Sequence, residues 1–423
     1  MTSGARNYAI VTAAYWGFTL TDGALRMLVL LHFFRLGYSP FTLAFLFLLY
    51  EAAGILANLG GGWLAARFGI PRMLTVGLSL QTAGLLMLSA LDPGWSAAMS
   101  VAWVVAAQGV AGVAKDITKT ASKSAIKATA GSGSGQLFRW VAWFTGSKNA
   151  MKGAGFFVGG LLLDVAGFRG ALWLLAGLIA VILTAAALSL PAGLGKAGAS
   201  KSMKELFSKS RGVNLLAAAR IFMFGARDVW FVVGLPVFLY SRGWSFLEVG
   251  GFLAAWTIAY GAIQAAAPRL VMRSADGLSR EVRAAQVWSA LLAAVPAALV
   301  VAMLLPQATA PDLLVSDLLV TAGLVLFGIP FAVNSSLHSY LILAYAGAKK
   351  AAEDVGFYYA ANASGRLMGI LLSGLLYQTG GLTACLLGSF AMLAACWGLT
   401  LFLPRHADRE ALSPMPPAVA SGG

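Results

Sequence analysis

The chain of 423 residues is 59% hydrophobic and only 11% charged, with a mean hydropathy of +0.79. Soluble proteins carry about 25% charged residues, so a water-soluble globular domain is excluded. The net charge of +14 invites a nucleic-acid partner until the placement of the basic residues is considered.

A helix crossing the hydrocarbon core needs roughly 20 mostly apolar residues. Windows of that kind predict an all-α polytopic membrane protein with twelve transmembrane helices, at 8–34, 41–64, 73–91, 95–116, 137–165, 168–190, 213–241, 246–270, 284–305, 316–343, 355–379 and 382–404. Breaks fall at turn-forming stretches such as GYSP (37–40), LDPGW (91–95) and PQATAP (306–311). The first apolar stretch is too long for a cleavable signal, has no clear cleavage site and contains Asp22 and Arg26.

Cytoplasmic loops carry an excess of Lys and Arg. With the N-terminus inside, 21 of the 30 basic residues fall on the cytoplasmic side and three (Arg35, Arg169, Arg242) outside. Six more lie within spans: Arg26, Lys148, Lys152, Arg220, Arg227 and Arg366. Both termini are therefore expected in the cytoplasm, and the positive charge requires no nucleic acid. Cys385 and Cys396 lie eleven residues apart on one apolar segment, about 16 Å along a helix. That is too far for a disulfide, so both are expected to be packing residues. The three histidines are scattered, and no cofactor or metal set is expected.

The chain divides into an N-terminal six-helix half (1–190), a basic cytoplasmic linker (191–212), a C-terminal six-helix half (213–404) and a disordered tail (405–423). The halves repeat weakly. A shift of 206 lays GYSPF (37–41) on GWSFL (243–247) and Asp22 on Asp228. A shift of 214 lays GFFVGGLLLDVAG (155–167) on GILLSGLLYQTGG (369–381) and Lys152 on Arg366. Span 1 thereby falls on span 7 and span 5 on span 11, as two parallel halves require.

The segment GGWLAARFGIPR (61–72) resembles the loop motif G-x-L-A-D-R-x-G-R-[KR] of the major facilitator superfamily. Ala66 stands where the motif has its aspartate, and Ile70-Pro71 replace basic residues. GGLLLDVAGFR (159–169) also resembles that superfamily's exit from the fifth helix. The resemblance implies two pseudo-symmetric six-helix halves that rock around a site at the membrane midplane.

An ionisable side chain near the bilayer centre costs about 3 kcal/mol or more, and it usually faces a cavity or a partner. Asp22, Glu51, Lys152, Arg227, Asp228 and Arg366 all lie near span midpoints. Two readings are open for each. In one they form structural pairs: Asp22 with Arg26 at i+4, Arg227 or Arg220 with Asp228, and Glu51 with Lys148. In the other they bind substrate. Lys152 and Arg366 have no evident partner in the sequence, and two such cations suit an anion of the phosphate class. Arg26, Lys148, Lys152, Arg227 and Arg366 are thus the candidate substrate-binding residues, and Asp22, Glu51 and Asp228 the candidate proton carriers. Lys115, Lys119, Lys123 and Lys127 recur every four residues, so the fourth helix is expected to run on into the cytoplasm until GSGSG (131–135). One reading of Lys123 and Lys127 is positive-inside topology together with contact with anionic lipid headgroups. Lys115, Asp116 and Lys119 are candidates for an anion vestibule at the cytoplasmic mouth.

Three longer segments, residues 7–54, AKDITKTASKSAIK (114–127) and GQLFRWVAWFTGSKNAMKG (135–153), resemble a narrower group, the organoarsenical efflux permeases (ArsJ). That resemblance implies a bacterial inner-membrane efflux transporter conferring arsenate resistance. Its substrate would be the anionic ester 1-arseno-3-phosphoglycerate, made when glyceraldehyde-3-phosphate dehydrogenase uses arsenate, which links the chain functionally to that enzyme. A general organophosphate or organic-anion transporter is the alternative, because both substrates need the same cations. No nucleophile–base set and no sizeable soluble domain are evident, so an enzyme is not expected. The partners expected are a small anionic substrate and the lipid bilayer.

Overall fold

The structure is a computed structural model that describes residues 3–129, 134–191, 210–271, 274, 278–304, 313–346 and 351–405, with side chains described outside 3–5, 59–67, 123–146, 268, 313–316 and 351–353. The side chains of the central part of the loop motif (61–67) and of Lys123 and Lys127, together with the whole of residues 192–209 in the linker and 406–423 in the tail, thus lie outside what is described. Among the described residues all regular structure is helical. The helices are α1 (Ser3–Arg35), α2 (Pro40–Phe45), α3 (Leu48–Phe68), α4 (Ile70–Ser89), α5 (Ala97–Thr129) and α6 (Ser134–Ser189). The second half holds α7 (Arg211–Phe231), α8 (Gly234–Ser241), α9 (Phe246–Ala266), α10 (Ser279–Leu304), α11 (Leu313–Tyr345) and α12 (Ala351–Leu401).

Local chemistry sets these boundaries. At the GYSP turn the Ser39 hydroxyl accepts the Thr42 amide at 3.2 Å, and Pro40 occupies the first turn of α2, where its missing N–H costs nothing. At the repeat-related GWSF turn, Ser245 and Glu248 close a capping box that starts α9. Two predicted spans are interrupted: 41–64 breaks between α2 and α3, and 213–241 breaks between α7 and α8. At the second break the Ser373 hydroxyl accepts the amides of Val233 and Gly234, at 3.3 and 3.0 Å. Conversely, α6 and α12 each run through two predicted spans. The only non-helical residues inside them are glycines: Gly167 at φ 67° in α6, and Gly380 with Gly381 (φ 63°) in α12. A left-handed φ is open to glycine without steric penalty, so one or two residues suffice where loops would otherwise stand. Helix α5 continues to Thr129, as the lysine spacing predicts.

Nine helical stretches among the described residues are long and apolar enough to cross a membrane. The faces of α1 and α7 that cross α6 and α12 meet them through glycine. A β-carbon at Gly155 of α6 would stand 2.3 Å from the Leu20 carbonyl oxygen of α1. One at Gly369 of α12 would stand 2.5 Å from the Gly225 carbonyl oxygen of α7. Gly155 and Gly369 are related by the shift of 214, so both halves use small residues at equivalent crossings to bring backbones together. Replacing Gly155 or Gly369 with leucine is expected to eliminate the folded monomer on size-exclusion chromatography. Gly177→Ala, where nothing lies within 4 Å of the new atom, should elute unchanged.

The halves meet around a central space. Near the two turns, a β-carbon at Gly160 would lie 2.4 Å from the Phe246 carbonyl oxygen, and one at Gly374 2.4 Å from that of Pro40. Towards the opposite end, the Asn149 amide donates to the Gln264 side-chain oxygen at 3.1 Å. Cys385 and Cys396 are buried and free, as packing residues should be.

Candidate functional site

Between the halves lies a cavity of about 260 Å³. Among the described residues, eight Lys or Arg side chains line it (Arg26, Lys115, Lys119, Lys148, Lys152, Arg220, Arg227, Arg366) against four carboxylates (Asp22, Glu51, Asp116, Asp228). All eleven site residues expected from sequence therefore converge on one space. They arrive on α1, α3, α5, α6, α7 and α12, from six different stretches of the chain.

The carboxylates are organised around Glu51 of α3, which is 1% exposed. Its Oε1 accepts Arg26 Nη2 at 2.6 Å and Arg366 Nη2 at 2.7 Å, and Lys115 Nζ lies 3.8 Å from Oε2. Arg366 also donates through Nε to Asp228 Oδ2 at 3.2 Å, and Asp228 Oδ1 accepts Arg227 Nε at 2.6 Å. A continuous chain of charge thus runs Arg26–Glu51–Arg366–Asp228–Arg227. Its Glu51–Arg366 link is, among the described residues, the one ion pair joining the halves. Aromatic faces flatten the guanidinium groups into place: Arg26 lies over Phe47 and Tyr50 at 5.1 and 5.2 Å, and Arg227 over Phe224 at 4.9 Å. Lys115 sits 3.8 Å over the Tyr50 ring.

Three sequence expectations need correction. Arg366 is not partnerless, because it bridges Glu51 and Asp228. Arg26 pairs with Glu51 instead of Asp22, and the Asp22 carboxylate accepts the Tyr50 hydroxyl. Glu51 is occupied by Arg26, Arg366 and Lys115 rather than by Lys148. In each case the winning partner comes from another helix, which spacing along one helix cannot reveal. The pairing of Arg227 with Asp228 is present. In the vestibule, Lys119 Nζ donates to Asp116 Oδ1 at 2.7 Å and to Asn58 Oδ1 at 3.0 Å, and Lys115 is 3.8 Å from Asp116.

Lys152 remains without a carboxylate among the described residues. Its ammonium stands 5.7 Å over Phe156. It lines the same cavity as Arg26, Arg227 and Arg366. A desolvated cation with such neighbours is stabilised by an anion entering the cavity.

The profile of the Major Facilitator Superfamily matches residues 8–369. The chain belongs to that superfamily. Its members are membrane transporters, and this superfamily protein is accordingly a multi-pass membrane protein with several apolar spans. No curated protein is a significant match. Within the superfamily protein's cavity, sequence reasoning missed a neutral polar and aromatic group: Tyr50, Asn58, Trp256, Tyr260, Gln264 and Asn362. Tyr50 carried a signal, since it directly precedes a mid-span glutamate. Trp256, Tyr260 and Gln264 follow a spacing of four along α9, which marks one helical face, but nothing in the sequence says that this face meets a cavity.

Proposed function

We propose that this transporter exports the anionic arsenate ester 1-arseno-3-phosphoglycerate by alternating access, from the cytoplasm across the bacterial inner membrane. The observation that carries the reading is the imbalance of the cavity among the described residues, eight cations against four carboxylates, with Lys152 left uncompensated there. A phosphate ester brings about −1.5 to −2 charge, and the arsenate group adds more, so the substrate's charge matches the excess. The resemblance of residues 7–54, 114–127 and 135–153 to the organoarsenical permeases supplies the chemical identity. The cations read charge and oxyanion geometry, which arsenate and phosphate share, so ordinary phosphoesters are competitors for the same site.

In this reading the chain has twelve crossings. Helices α6 and α12 contribute two each by reversing at their glycines, α2 continues into α3, and α7 continues into α8. Both termini are cytoplasmic. Glu51 and Asp228 act as resident counter-anions that hold Arg26, Arg366 and Arg227 in place while the cavity is empty. The substrate's oxyanions take over part of that role, and the Glu51–Arg366 link between the halves then loosens. Opening one end requires separating the glycine contacts near the turns, and opening the other requires breaking the Asn149–Gln264 bond. Asp22, Glu51 and Asp228 remain the candidates for proton coupling.

The test is the arsenic content of arsenate-treated cells. It should fall when the chain is expressed together with the dehydrogenase and stay high when either is missing; equal content in all cells would contradict the proposal. Lys152→Ala should abolish this effect, whereas Lys152→Arg should keep a measurable part of it. Full activity of Lys152→Ala would remove the lysine from the site.

A further inference from the structure

Arg220 of α7 is 4% exposed and lines the cavity, yet no carboxylate lies within ion-pair distance of it among the described residues. Buried charges are ordinarily paired, so this guanidinium is as anomalous as the Lys152 ammonium. Its surroundings are neutral and fixed. Nε donates to Asn362 Oδ1 at 3.0 Å, and Nη1 donates to the Ser335 carbonyl and hydroxyl oxygens, both at 3.3 Å. Ser335 is itself held by the Gln264 amide at 3.4 Å. The Phe224 ring lies 3.9 Å from the guanidinium carbon and the Tyr358 ring 5.0 Å. Nη2 has no acceptor among the described residues. The result is a rigid positive fork with unused donors, built without a counter-ion.

Arg220 and Arg227 are seven residues apart on one helix, about 10 Å along its axis and close to the same face. Arg227 belongs to the charge chain with Asp228 and Arg366, and Lys152 lines the same cavity. The cavity therefore has two positive centres at different depths.

We infer that the Arg220 group is a second oxyanion subsite, and that the cavity takes a short molecule anionic at both ends, one end at Lys152 and the other at Arg220. This rests on the anion-export reading above and adds to it a rule of selection: a two-ended anion is preferred over a one-ended ester of the same length. Bidentate contact with the free edge of Arg220 supplies the preference. Lys152 supplies a point charge that any anion can use.

The full chain in lipid nanodiscs can be titrated with two stable probes, propane-1,3-diyl bisphosphate and propyl phosphate. The wild type should bind the bisphosphate at least about tenfold more tightly, the scale of one charge-assisted contact. Arg220→Gln should erase that margin and change propyl phosphate binding less than about twofold. Arg220→Lys should keep part of the margin, and it serves as the test if the glutamine variant does not fold. A margin that survives either substitution intact, or a loss equal for both probes, would overturn the second subsite while leaving the anion reading standing. A wild type that binds neither probe would overturn the anion reading itself.

Discussion

Arg366→Ala is expected to abolish transport of the proposed arsenate-ester substrate while the protein still reaches the membrane. The side chain holds Glu51 through Nη2 at 2.7 Å and Asp228 through Nε at 3.2 Å, so its removal cuts both the link between the halves and the internal contact of the C-terminal half. Each carboxylate keeps another cation, Arg26 for Glu51 and Arg227 for Asp228, so neither is left alone. Folding should therefore survive better than after loss of a sole partner, which costs about 3–5 kcal/mol. Transport has no such reserve. Losing about 3 kcal/mol of substrate or inter-half interaction lowers it by about a hundredfold. Arg366→Lys retains the charge, but one ammonium cannot reproduce a fork that reaches two carboxylates, and activity should fall by about tenfold or more. Uptake into everted vesicles, normalised to folded protein by size-exclusion chromatography, measures both variants. Undiminished transport by Arg366→Ala would show that the charge chain has no part in transport.

Glu51→Gln should separate binding from turnover. The substitution removes the charged acceptor shared by Arg26, Arg366 and Lys115 and leaves the cavity one unit more positive. An anionic substrate then no longer competes with a resident carboxylate, so binding should tighten by about tenfold, the equivalent of about 1.4 kcal/mol. Turnover should fall by a larger factor, because release must regenerate the empty, internally neutralised state, and an uncharged amide cannot do that. Interactions equally strong before and after the step raise affinity without raising rate. Binding to nanodisc-embedded protein and uptake into vesicles should therefore move in opposite directions. A parallel loss of both would mean that Glu51 serves folding alone.

Much of this architecture is legible in the sequence because a bilayer imposes a simple rule: long apolar windows, turn residues between them and basic loops on one side. The elements that escape it are those that lack a loop or contain a break. At Gly167 a single residue leaves helical geometry inside α6, and at Leu46–Phe47 an apolar pair interrupts helix without any polar signal. The site residues are also legible as a set, since depth alone marks a costly charge. Their pairing is not. Asp22 and Arg26 stand four apart on α1, the spacing of a helical ion pair, yet Arg26 crosses to Glu51 on α3. Arg220 is visible as an in-span arginine and a candidate partner for Asp228, but eight residues along α7 place it about 12 Å away in depth. Which cation lacks a counter-ion is a property of the packed helices, and the structure moves that distinction from Arg366 to Arg220.

Export of the arsenate ester is tested most directly in everted membrane vesicles supplied with arsenate, glyceraldehyde-3-phosphate, NAD and the dehydrogenase, with arsenic accumulation as the readout. Uptake should require the complete enzyme mixture and disappear in vesicles carrying Arg366→Ala. Uptake of free arsenate without the enzyme, or accumulation of ordinary phosphoesters with no arsenic, would contradict it.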